Sequence, residues 1–165
     1  DTPNLLRVIS GERSAAPKVH PMTMIETNID DMNPEFYEHV MEALFQSGAV
    51  DVFFTPVFMK KNRPATLLSV LVPRESVDVV IRIILAETST FGVRHYEVGR
   101  TVLDRTERIV KTSHGKVRVK IGSLNGSVLR IAPEYEDCKK IASRKKIPVK
   151  EIYDEVLRLA EKCRD

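Results

Sequence analysis

The 165-residue chain has no tryptophan, only two cysteines and no apolar run approaching the length of a membrane span. Cys138 and Cys163 form no CxxC pair, so no soft-ligand cluster is encoded and reduced thiols in a cytoplasmic chain are expected. A spanning helix needs about 20 predominantly apolar residues; nothing here comes near that, and no signal peptide is visible. The four histidines, His20, His39, His95 and His114, lack HxH or HExxH spacing, which argues against a zinc site built on either. P-loop, dinucleotide fingerprint and GxSxG motifs are likewise missing. Nor is there much charge of one sign: 26 Lys and Arg stand against 23 Asp and Glu, a net +3. Where charges cluster must therefore decide which partners the chain attracts.

What is present is a regular alternation of strand and helix periods, with 42% hydrophobic residues, enough for one core or two small ones. Residues 4–9 read as a strand and 11–21 as a loop. The first residue, Asp1, suggests a piece cut from something longer, or a processed terminus. Residues 23–29 predict a strand. Residues 34–47 predict a helix with Phe36, Val40, Ala43, Leu44 and Ser47 on one stripe, closed by Gly48. Strands at 50–59 and 66–72 flank a basic turn at 60–64. A helix at 75–87 carries Val77, Val80, Ile81, Ile84 and Leu85 at helical spacing, and a strand follows at 93–103. Strand, helix, strand, strand, helix, strand is the ferredoxin-like βαββαβ order, an antiparallel sheet with two helices on one face.

Beyond it, strands at 107–112, 116–121 and 127–131 precede helices opening at Pro133-Glu134 and at Pro148. The last helix is expected to bury Val149, Ile152, Val156, Ala160 and Cys163. The expected fold is thus α+β, in three stretches. Residues 1–21 are an N-terminal strand and linker, 22–104 a ferredoxin-like domain, and 105–165 a small antiparallel β-strand plus two-helix domain. In the first domain, Val52, Phe54 and Phe58 lie on one face of an apparently central strand and Phe53, Val57 and Met59 on the other. Helices cover only one face of such a sheet. The second unit or another subunit must cover the rest, so a homo-oligomer is expected.

Chemistry concentrates in a few runs. Glu26, Asp30, Asp31 and Glu35 place four carboxylates within ten residues at a strand-to-helix junction. Asn33 and Pro34 suffice as N-cap and first helical residue, and a helix start needs only one acid. The surplus is either a solvated turn, with Asp31 assisting the cap, or a site for a magnesium-type cation, which prefers carboxylate oxygens and keeps several waters. The turn Lys60-Lys61-Asn62-Arg63-Pro64 packs three cations into four residues. It is an exposed hairpin tip or a phosphate clamp, with Arg as bidentate fork and Lys as point charge. Thr88-Ser89-Thr90-Phe91-Gly92-Val93-Arg94 offers three hydroxyls, a glycine and an arginine, an ordinary helix-ending turn or an anion loop. Glu134, Glu136 and Asp137 complement the dipole of a helix start, and Cys138 there reads as buried packing, with a thiolate ligand to a soft metal as the alternative. Lys116, Arg118 and Lys120 alternate with Val117, Val119 and Ile121. That basic face lacks the interleaved aromatics of an RNA-binding surface.

Taken in order, the run from Glu26 to Glu35, Asp51-Val52 with Thr55-Pro56, the turn from Met59 to Pro64, the loop from Glu87 to Arg94 and Pro133-Glu134-Tyr135-Glu136-Asp137-Cys138 closely resemble the C-terminal portion of the LarC family. These are the nickel-insertion proteins of nickel-pincer nucleotide biosynthesis. The resemblance implies a CTP-dependent cyclometallase whose partners are CTP, a pyridinium-3,5-bisthiocarboxylate mononucleotide and a missing N-terminal part. The substrate is activated by CMP transfer with loss of pyrophosphate, helped by Mn or Mg, and nickel is the inserted metal, destined for lactate racemase. On these motif positions Lys60, Lys61, Arg63, Thr88, Ser89, Thr90 and Arg94 are expected to bind CTP, and Glu26, Asp30 and Asp31 the divalent ion. The competing expectation is an oligomerisation and docking scaffold for a catalytic N-terminal part.

Overall fold

The computed structural model describes residues 19–161; the strand expected at 4–9 and Cys163 lie outside them. The chain forms two compact units that divide between Thr101 and Val102.

The first unit contains β1 (Val19–Ile29), α1 (Phe36–Gln46), β2 (Asp51–Met59), β3 (Arg63–Val72), α2 (Val77–Glu87) and β4 (Arg94–Thr101). Its four strands pair antiparallel in the order β2-β3-β1-β4. Alternation along β1 sends Ile25 and Ile29 into the core with Leu68, Val70 and Val72 of β3, against Val40 and Leu44 of α1 and Val80 and Ile84 of α2. The two helices thus cover one face. β2 lies at the sheet edge, not at its centre as its apolar composition suggested. Val52 and Phe54 serve the core, while Phe53 is 42% and Phe58 80% exposed.

Local chemistry explains the element ends. Gly48, at φ +94°, follows the α1 C-cap, and the Ala49 N–H returns to the Leu44 carbonyl at 3.1 Å, a Schellman closure. At the other end, Asn33 Oδ1 accepts from the Glu35 N–H at 3.2 Å. The Phe36 N–H reaches the Asn33 carbonyl at 3.1 Å. Asn33 therefore caps a tight entry turn, and α1 itself starts at Phe36, two residues later than expected.

The second unit contains β5 (Asp104–Lys111), β6 (Lys116–Leu124), β7 (Ser127–Pro133), α3 (Tyr135–Lys145) and α4 (Val149–Glu161). The strands form an antiparallel sheet, β5-β6-β7. Val117, Val119 and Ile121 pack against Cys138 and Ile141 of α3 and Ile152, Val156 and Ala160 of α4. Pro133 ends β7 rather than opening α3. Among the described residues no helix is long and apolar enough to cross a membrane.

Candidate functional site

In an antiparallel sheet, the neighbours of a central strand begin where that strand ends. β3 and β4 both flank β1, with Ile29 opposite Thr66 and Glu26 opposite Arg94. The end of β1, the turn leading into β3 and the loop leading into β4 therefore meet at one end of the first sheet. These are the acidic run, the basic turn and the hydroxyl loop, far apart in sequence.

Their contacts pair each acid with a different partner. Asp30 Oδ2 accepts from Arg63 Nη1 at 3.1 Å. Asp31 Oδ1 accepts from the Ser89 hydroxyl. Glu26 is held from both sides, by Ser69 Oγ at 3.2 Å and Arg94 Nε at 3.1 Å. Arg94 also donates through Nη1 and Nη2 to Asn28 Oδ1, at 3.3 and 3.2 Å. Phe53, Ser69, Glu26 and Arg94 are register partners across all four strands, on the face that the helices leave bare. The arginine side chains are 56% and 52% exposed, while Asp30 and Glu26 are 21% and 17%. The carboxylates are thus sunk beneath guanidinium groups that face solvent. A guanidinium has five N–H donors; in these contacts Arg63 uses one and Arg94 three.

The remaining expected residues divide. Lys60 and Lys61 sit in the exposed 3-10 turn Lys60–Asn62, and neither joins an ion pair among the described residues. Lys61 and Asn62 hold positive φ, 63° and 54°, a conformation uncommon outside glycine. Thr88 spends its hydroxyl on the Ile84 carbonyl at 2.6 Å, finishing α2. Thr90 and Thr27 lie hydroxyl to hydroxyl at 2.6 Å and share the Gly92 carbonyl, 2.9 Å from each. Among the described residues, Ser89 alone of the three loop hydroxyls meets an acid. Among the described residues no group of three or more His, Cys, Asp or Glu converges on one point, so the turn offers two neighbouring aspartates, with Glu26 committed to Ser69 and Arg94. A hollow of about 230 Å³ adjoins Asp30, walled by Met32, Pro34, Tyr37, Pro64 and Thr66.

Asn28, Ser69 and Thr27 join the network although their sequence context did not mark them. Ser69 is a lone hydroxyl between Leu68 and Val70. That was the available signal, but only the register with β1 turns it into a partner for Glu26.

The second unit neutralises most of its basic strand. Arg118 meets Asp137 at 2.8 and 2.9 Å through its guanidinium and 3.1 Å through its backbone N–H. Lys120 meets Glu134 at 2.6 Å. The Arg118 hydrogen bond, partly opposed by desolvation, holds the Asp137 carboxyl at about 2. Cys138 is fully buried, and burial raises its thiol above the usual range.

Comparison with known proteins bears on what such a site serves. The family model described as nickel insertion protein matches residues 1–153. The pyridinium-3,5-bisthiocarboxylic acid mononucleotide nickel insertion protein of Clostridium kluyveri is 46% identical over 158 residues, 96% of this chain and 40% of its own length. Its counterpart in Acetivibrio thermocellus is 49% identical over 154 residues, 93% of this chain and 38% of its own. The chain thus spans about two fifths of these relatives. Among solved structures, LarC2, the C-terminal domain of a cyclometallase involved in the synthesis of the NPN cofactor of lactate racemase, superposes in its apo form with a TM-score of 0.83. It shares 39% identity, over 87% of this chain and 99% of that one. Protein MK0293 of Methanopyrus kandleri follows at TM-score 0.66 and 25% identity, over 84% and 86%.

Proposed function

We propose, from the premise that this chain belongs to the nickel insertion protein family, that it is the nucleotide-handling part of a cytoplasmic, CTP-dependent cyclometallase. The whole enzyme inserts nickel into pyridinium-3,5-bisthiocarboxylic acid mononucleotide to complete the nickel-pincer cofactor of lactate racemase. The observation that carries this reading is the meeting of acidic run, basic turn and hydroxyl loop at one end of β1, with the pairs Asp30–Arg63, Asp31–Ser89 and Glu26–Arg94. We read the first unit as a ferredoxin-like domain, from its element order and the sheet order β2-β3-β1-β4.

The pairs are suited to exchange. Arg63 and Arg94 keep unused N–H donors toward solvent, and Lys60 and Lys61 add mobile charge for a triphosphate. Arg63 turning to a phosphate frees Asp30, which with Asp31 supplies the one or two carboxylates that magnesium or manganese takes alongside phosphate oxygens. Glu26 joins that set only on giving up Arg94; as built, it orients the guanidinium. A divalent ion held there would neutralise the triphosphate and ease departure of pyrophosphate. Ser89 holds Asp31 in place, and the Thr27–Thr90–Gly92 contacts fix the loop that carries it.

Thermal shift tests the reading. CTP with Mn²⁺ at a hundred times its dissociation constant should stabilise the chain by about 2.7 kcal/mol, and GTP with Mn²⁺ by much less. Asp30→Asn with Asp31→Asn should abolish that gain while changing the melting of the free protein by roughly 1 kcal/mol or less, the scale of a lost cap. No stabilisation by CTP and Mn²⁺ would sink the proposal. The bare sheet face, with Phe53 at 42% and Tyr96 at 48% exposure, favours in addition a subunit interface there.

A further inference from the structure

Three cations of the second unit have no part in the site just described. Lys116 opens β6, while Lys140 and Arg144 lie one turn apart on α3. Together with Asp137 and Ile141 they line a concavity of about 470 Å³. Asp137 is the single acid in that lining among the described residues; its carboxylate is held by Arg118, through two guanidinium contacts and a backbone N–H, and Lys140 adds only a charge nearby. Among the described residues none of the three cations makes an ion pair. Lys111 stands opposite Lys116 in the β5–β6 register and adds no acid.

The C-terminal dipole of α3 accounts for Arg144 and the nearby Asp137 carboxylate accounts in part for Lys140, but neither accounts for Lys116 on a strand. The wall is also shaped. A Cβ on Gly115, which has φ +154°, would lie 3.1 Å from Ile141 Cδ1 and 3.8 Å from Arg144 Nη2. The bare glycine lets α3 close on the turn and brings the Arg144 guanidinium to it. Ile141, 7% exposed, belongs to the second core and floors the concavity between the cations.

We propose that this concavity binds a mononucleotide by its phosphate, apart from the triphosphate site of the first unit. A phosphate monoester carries a charge of about −1.5 to −2 and three acceptor oxygens at neutral pH. A guanidinium fork and two ammonium groups match it. The volume suits one small molecule, since ligand pockets run from about 300 to 1,000 Å³, with room for a nucleoside beside the phosphate. A nucleic-acid strand would want aromatic platforms along a longer groove, and among the described residues the lining has none.

The test uses the full chain and nicotinic acid mononucleotide, a pyridinium phosphate monoester, with its phosphate-free riboside as control. Choosing a pyridinium probe rests on the proposed function; the cation cluster does not. Saturable amide shifts at Gly115, Lys116 and Ile141 are expected with the mononucleotide and not with the riboside. Lys140→Ala with Arg144→Ala should weaken binding by about tenfold or more, as lost charged hydrogen bonds do. Lys139→Ala, outside the lining, should leave it unchanged, and affinity for CTP with Mn²⁺ should be the same in all three proteins. Arg63→Ala should show the reverse pattern, which separates a failure of this proposal from a failure of the CTP reading. Equal affinity for the mononucleotide in the double variant overturns the inference. So does a ribo-oligonucleotide that binds through these cations where the mononucleotide does not.

Discussion

Arg63 spends one donor on Asp30 and keeps its outer face in solvent. Arg63→Ala should therefore weaken CTP binding by about 1.5–3 kcal/mol, the range for charged hydrogen bonds. Isothermal titration calorimetry measures this directly, and unchanged affinity in both Arg63→Ala and Lys61→Ala would remove the turn from the site. At this scale the sequence revealed the ingredients better than the pairings. Carboxylates beyond what the Asn33 cap needs, three cations before Pro64 and the arginine after Gly92 were all visible as residue types, although the last two runs also read as ordinary turns. Which acid meets which base was not, because Glu26 finds Ser69 and Arg94 only through two strand registers. The loop hydroxyls were also indistinguishable on paper. Thr88 closes α2 and Thr90 braces Thr27, so Ser89 alone is left for Asp31.

At the scale of the element, α3 is fastened to β6 by Asp137–Arg118 and Glu134–Lys120. The Asp137 carboxyl is lowered in the fold to about 2, against about 3.9 for a free aspartate. A depressed carboxylate adds stability that is complete above the unfolded value and is lost as pH falls through the folded one. The second unit should thus lose stability between about pH 4 and pH 2, and Asp137→Asn should flatten that part of the profile, as acid unfolding followed by circular dichroism would show. A wild-type slope in the variant would assign the acid sensitivity elsewhere. Strand alternation correctly put Lys116, Arg118 and Lys120 on one face, but the acids that neutralise two of them belong to a helix start whose dipole already explained their presence. Periodicity identified the helices and most strands to within a few residues. The centre of the sheet was misjudged because apolar composition does not report lateral position: β2 is apolar yet lies at the edge.

For the whole molecule, the bare sheet face of the first unit sets the main expectation. Phe53 and Tyr96 stand exposed there, and apolar side chains gathered on one face mark association surfaces. Multi-angle light scattering should find an oligomer at micromolar concentration, and Phe53→Glu should shift it toward monomer. A monomer at every concentration would reject the interface. Cys138 has a different consequence. Its thiol is sealed in the second core and held protonated by burial, whereas only thiolate attacks an alkylating reagent. In a Cys163→Ser background, iodoacetamide can modify Cys138 only during the moments when that core opens. When reclosing outpaces labelling, the reaction rate divided by that of the unfolded chain is the opening equilibrium constant. A single buried sulfur thus makes the second unit its own clock, with a free energy of opening that can be timed under native conditions.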